Sequence, residues 1–133
     1  MLPEQIVEAV LDGTKPILEA PLEGEMEALM EALRARGLRA VRVDQAPVFD
    51  KDTLLHALYQ SCALPAWFGF NWDALADTLG DDDIHEAKSV VLVFGYFSTL
   101  RQRSPDTCDT FLDILAEATD LPHSWVRQAL LLN

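Results

Sequence analysis

Positive charge is scarce in this chain. Ten lysines and arginines stand against 22 aspartates and glutamates among 133 residues, for a formal net charge of -12. That balance excludes a protein built to grip nucleic-acid backbone, which needs clustered lysine and arginine against the phosphates. It favours a basic partner, or solubility alone. Cysteine is nearly missing too. Cys62 and Cys108 are the only two, and without a CxxC pair they argue against a redox centre. Both fall in apolar helical patterns and read as reduced, buried thiols, although spacing alone leaves a disulfide between them open. No apolar run approaches the length of a membrane span. The start, Met1-Leu2-Pro3-Glu4, lacks the basic and apolar regions of a secretion signal, so the expected location is cytoplasmic. No glycine-rich phosphate loop follows any strand candidate, which leaves a nucleotide site unsupported. His56 and His123 have no serine or cysteine near them in a nucleophile setting, and the expectation is a protein that is not an enzyme.

There is no internal repeat. Pro3 to Leu11 predicts an amphipathic helix stopped by Gly13, and 15–20 is a strand candidate bounded by Pro16 and Pro21. Glu23 to Arg36 carries Met26, Leu29, Met30 and Leu33 at helical spacing before Gly37. Leu38 to Asp44 alternates and predicts a strand. A helix follows to about Cys62, capped by Asp50 or Asp52. Ser89 to Phe97 is almost wholly apolar, as expected of a strand covered on both faces. Ser104-Pro105 predicts the start of a helix that runs to about Thr119, with Ser104 as its cap. Trp125 to Leu132 reads as a last strand, its leucine-rich end also compatible with a helix. Strands alternating with helices imply an α/β fold with a small parallel sheet of three strands, and 15–20 as a possible fourth.

The most informative stretch is Leu64-Pro65-Ala66-Trp67-Phe68-Gly69-Phe70-Asn71-Trp72-Asp73-Ala74-Leu75-Ala76-Asp77-Thr78-Leu79-Gly80. An aromatic loop runs directly into a short acidic helix. Asp73 and Asp77 are four residues apart and share one helical face. Trp72, Leu75, Ala76 and Leu79 have the spacing of a buried stripe, from which the carboxylates are rotated by about 100°. A carboxylate pair on an exposed helical face is poorly placed for a hydrolase cleft that excludes water. Asp81, Asp82, Asp83, His85 and Glu86 form the one cluster that suggests a metal, but the glycine and the spaced ligands of a calcium loop are missing. No metal and no cofactor are expected. Trp72 and Trp125 read as core, while Trp67 and Phe68 are divided between contact and packing.

The run Leu-Pro-x-aromatic-aromatic-Gly-x-Asn-x-Asp-Ala-Leu, followed by Asp77, resembles the barstar family of ribonuclease inhibitors. The order of elements agrees around it from residue 38 onward. The resemblance implies one barstar-like domain over 1–133, with 1–37 as an N-terminal extension and 38–133 as the core. It implies an intracellular inhibitor that blocks the cleft of a basic ribonuclease, barnase-like or a toxin nuclease domain, acting as a monomer without nucleic acid or membrane. On this resemblance Asp77 stands in for an RNA phosphate and Asp73 is the second acidic contact. Trp67 takes the place of a tyrosine that packs on the nuclease, and Asn71 caps the helix. Glu117, aligned through Ala116-Glu117-Ala118, matches a contacting glutamate. Phe68, Phe70, Ala76 and Gly80 complete the implied contact set. The chain departs from the family at Phe70, where a glutamate is usual, and at Ala76, where a tryptophan is. Gly80-Asp81-Asp82 also replaces a Thr-Gly-Trp. The alternative is a module of the same fold serving a basic partner that is not a nuclease.

Overall fold

A computed structural model describes residues 1–133. In chain order the elements are α1 (Pro3–Asp12), β1 (Ile17–Ala20), α2 (Met26–Ala35), β2 (Arg39–Arg42), α3 (Lys51–Ser61), α4 (Trp72–Leu79), β3 (Val90–Phe94), α5 (Phe97–Arg103), α6 (Pro105–Asp120) and β4 (Val126–Leu132). The four strands form one sheet in the order β1-β4-β3-β2, with every pair parallel. The N-terminal strand candidate is therefore real, and it extends the sheet beyond β4. The leucine-rich end of the chain is strand and not helix.

The apolar pattern explains the layers. Val90, Leu92 and Phe94 of β3 point into a core of 23 buried residues shared with α3, α4, α5 and α6. Val91 and Val93 alternate to the other face, into a core of 14 buried residues shared with α1 and α2. A strand buried on both faces reads as an unbroken apolar run, as β3 does. Residues 1–37 supply Ile6, Val7 and Val10 from α1, Leu18 and Ala20 from β1, and Leu29, Met30 and Leu33 from α2 to the smaller core. They are thus one wall of the sheet's covering. Gly13 and Gly37 take φ values of +70° and +79° at the ends of α1 and α2, a backbone that glycine adopts without steric cost.

Two local expectations need correction. β3 stops at Phe94, and Phe97 starts the short helix α5. The buried Asp44 carboxylate, just past β2, causes the break. It accepts the amide hydrogens of Gly95 (2.9 Å) and Tyr96 (2.7 Å), which removes both from the ladder. Ser104 precedes α6 but does not cap it with its side chain; the hydroxyl donates to the Phe49 carbonyl at 2.8 Å. Of the two cap candidates for α3, Asp50 is used, accepting from the Thr53 amide at 2.9 Å. Both cysteines are buried and unpaired. No helix is long and apolar enough to cross a membrane.

Candidate partner-binding face

After α3 the chain turns back along its own helix. Leu64 is buried, and the Phe68 amide closes a turn on the Pro65 carbonyl at 2.9 Å. The two neighbouring rings then part. Phe68 faces inward, 3 % exposed, with its ring 6.3 Å from that of Tyr59. Trp67 faces outward at 67 % exposed. Phe68 is therefore core and offers no ring to a partner, a correction to its place in the implied contact set. Phe70 is half-buried, its ring 4.5 Å from His56, 4.9 Å from Phe68 and 5.1 Å from Tyr59. It holds φ at +50°, a left-handed conformation uncommon for a bulky side chain. The three neighbouring rings hold it there.

Asn71 is the cap of α4. Its side-chain oxygen accepts from the Ala74 amide at 2.8 Å and its Nδ2 donates to the Gly69 carbonyl at 3.2 Å. Gly69 is packed so closely that a Cβ there would lie 3.1 Å from Asn71 Nδ2. The other end of α4 is tied down from β4's side. Trp125 Nε1 donates to the Thr78 carbonyl at 2.7 Å, and Ser124 Oγ to the Leu79 carbonyl at 2.8 Å. These bonds satisfy carbonyls that a helix end otherwise leaves open. The Thr78 hydroxyl itself is buried without a partner.

The inward residues of α4 are Leu75, Thr78 and Leu79. Trp72 is half-buried, with Lys51 Nζ 5.3 Å from its ring centre. Ala76 is exposed and does not belong to the buried stripe that its spacing suggests. On a wheel of about 100° per residue, Ala76, Gly80, Asp73 and Asp77 fall together within about 100° of arc. Asp73 and Asp77 are both exposed, and neither takes part in an internal ion pair or side-chain hydrogen bond. Near the N-terminus of α4 a carboxylate such as Asp73 is favoured by the helix dipole; near the C-terminus, at Asp77, it is disfavoured. Asp77 thus sits where the helix alone gives it no support.

Glu117 lies exposed on α6, in a groove shared with Pro16, Ala116, Thr119 and Asp120. No residue of the aromatic loop or of α4 lines that groove. The residues after α4, in contrast, do meet the loop. A groove of about 460 Å³ is lined by Ala63, Pro65 and Trp67 together with Asp81, Asp83 and Ile84. The sequence marks Asp81-Asp82-Asp83 as part of an acidic cluster lacking the pattern of a calcium loop, and nothing local ties it to Trp67. The three carboxylates come within 4.8 Å of one another. Asp81 accepts the Asp83 amide at 3.0 Å, and Asp82 lies 3.3 Å from His123 Nδ1. His85 is engaged inside the fold, with Nε2 2.6 Å from the Cys62 carbonyl oxygen and the ring edge-on to Trp125. The close cluster comprises the three aspartates and does not include His85.

No curated protein matches the chain. The profile of the family described as Barstar (barnase inhibitor) matches residues 38–129. That span holds β2 through most of β4, including the aromatic loop and the anchored acidic helix. With well over half its length matched on the elements that carry this face, the chain belongs to the barstar (barnase inhibitor) family.

Proposed function

We propose that the protein is a stoichiometric inhibitor of a basic ribonuclease, and that α4 occupies the enzyme's phosphate-binding cleft. The observation that carries this reading is the state of Asp73 and Asp77. They are exposed, one turn apart and unbonded within their own chain, on a helix fixed at both ends. A nuclease cleft already arranges arginine and lysine donors around an anion. A rigid carboxylate can use those donors with little reorganisation of either side. Ion pairs formed in a dry interface are net favourable only where hydrogen bonds complete them. The chain's net charge of -12 steers it toward a cationic cleft from a distance.

The inhibitor acts as a monomer inside the producing cell and has no turnover of its own. Asp77 replaces the phosphate, Asp73 and Asn71 flank it, and Trp67 contributes exposed ring surface of the kind that anchors interfaces. Phe70, Ala76 and Gly80 border the same surface, and Glu117 is an outlying contact. Phe70 and Ala76 are this chain's own residues at the interface, so the target need not be barnase itself. The test is co-expression with secreted basic ribonucleases and toxin nuclease domains, scored for rescue of growth. Rescue by wild type and its loss with Asp77→Ala are expected. No rescue across the panel, with a basic protein that is not a nuclease recovered in a one-to-one complex, would replace the reading with the interaction-module alternative.

A further inference from the structure

Four rings, from exposed Tyr96 to buried Phe97, lie against cations of the chain itself. Arg42 lies 5.8 Å from the ring centre of Tyr96, Lys51 5.3 Å from Trp72, Arg101 5.3 Å from Phe97 and Arg103 5.3 Å from Phe49. Trp67 is the most exposed large ring of the molecule and has no such partner. Asp81 and Asp83 line the same groove, and neither is bridged by a lysine or arginine of the chain. An open indole face and two carboxylates thus meet over a cleft whose remaining walls, Ala63, Pro65 and Ile84, are apolar.

The geometry points to this groove as the seat of one arginine side chain from the basic partner. This assignment rests on the reading of the protein as a binder of a basic protein. The apolar walls suit a methylene stem. The planar guanidinium can lie on the indole face, where the ring quadrupole attracts it, and still direct N–H donors along its edge to the carboxylates. A lysine ammonium is a compact, strongly hydrated point charge and fits a flat ring beside two carboxylates less well. Asp81 and Asp83 are also held close together, and like charges at that spacing gain from an added cation. Asp81, Asp83 and Trp67 therefore select which basic partner docks, while Asp73 and Asp77 fill its phosphate site.

The test needs no nuclease. The indole N–H resonance of Trp67 is followed by NMR in the full chain while N-acetyl-arginine methylamide is added. The lysine analogue and the uncharged citrulline analogue serve as comparisons. A saturable shift at Trp67 is expected with arginine, weaker with lysine and absent with citrulline. In Asp81→Asn/Asp83→Asn the apparent affinity should fall about tenfold or more, the loss expected for charged hydrogen bonds. Asparagine retains an acceptor for the Asp83 amide, and an unchanged spectrum elsewhere shows that the variant folds. No shift at Trp67, an equal response to lysine or citrulline, or an unchanged response in the double variant overturns the assignment. Growth rescue without arginine binding removes the groove alone. Arginine binding without rescue removes the inhibitor reading alone.

Discussion

Replacing Asp77 by alanine should move binding and stability in opposite directions. On the stability side, the carboxylate has no internal partner to lose. It sits in the last turn of α4, Trp72–Leu79, where negative charge opposes the helix dipole. Alanine is also the better helix former, by up to about 0.7 kcal/mol. At roughly 3–5 °C per kcal/mol for a domain of this size, the melting temperature should stay level or rise by a few degrees. On the binding side, the proposed inhibition predicts that the nuclease donors meeting Asp77 are left unpaired in a desolvated cleft. A hydrogen bond to a charged group is worth about 1.5–3 kcal/mol, or roughly 10- to 150-fold in affinity. The assay pairs thermal melts with titration of RNA cleavage by the ribonuclease recovered from co-expression. Inhibition by wild type should also weaken as salt rises, because exposed charges are screened beyond about 8 Å at physiological ionic strength. Two results refute the reasoning. One is a variant that inhibits as well as wild type. The other is a clear fall in melting temperature, which would mean that Asp77 holds its own fold together.

Leu75→Ala provides the contrasting case. Leu75 is 0 % exposed under α4, so the cavity should cost about 2.7–5.0 kcal/mol; a melt should show a drop of roughly 10–20 °C, with inhibition retained by the molecules that stay folded. The Asp50 carboxyl is held below the usual carboxylate range, first by the Thr53 amide and then by its hydroxyl. The fold therefore favours the ionised form, and the stability it contributes is present above the unfolded pKa and lost as pH falls through the folded one. Asp50→Ala should cost about 0.5–2 kcal/mol at pH 7, and denaturation at successively lower pH should show the difference shrinking below about pH 4. Burial pushes the Cys62 thiol up to about 12. The unfolded thiol ionises at lower pH than the folded one, so stability should fall as pH rises above about 9, and Cys62→Ala should flatten part of that fall in alkaline melts. Deleting residues 1–37 strips eight of the fourteen residues from the smaller core and exposes one face of Val91, Val93, Leu130 and Leu132. The truncated chain should be aggregated or unfolded by size exclusion and circular dichroism; a soluble, cooperatively melting product would contradict the sheet's need for that cover.

What was legible in the sequence is local. The short acidic helix and its outward Asp73–Asp77 pair follow from spacing within about a dozen residues, and the Asn71 cap from the motif's resemblance to the barstar family, because a short helix is specified by neighbours in sequence. The buried central strands were legible because a strand covered on both faces has to be apolar throughout. Where the reading failed, a distant residue decided the outcome. β3 ends at Phe94 because the Asp44 carboxylate takes the next two amides. Ser104 leaves its helix uncapped because Phe49 offers a carbonyl. Ala76 is apolar by type, but a methyl group adds little to the drive for burial. The inward face of α4 is centred instead by Leu75, Leu79 and the hold of Trp125 on Thr78.

The sequence by itself determined the α/β class, the acidic surface and the family, since all three are written in composition, periodicity and one contiguous motif. Only the tertiary structure decided which of two adjacent rings is exposed. Tyr59 of α3 stacks with Phe68 and leaves Trp67 outside. Only the tertiary structure, too, set Asp81 and Asp83 in one groove with that ring and left Glu117 in a different one. The physical reason is common to these cases. A side chain's direction within an element follows from local periodicity, but its neighbours across elements exist only once the sheet and its helices have packed.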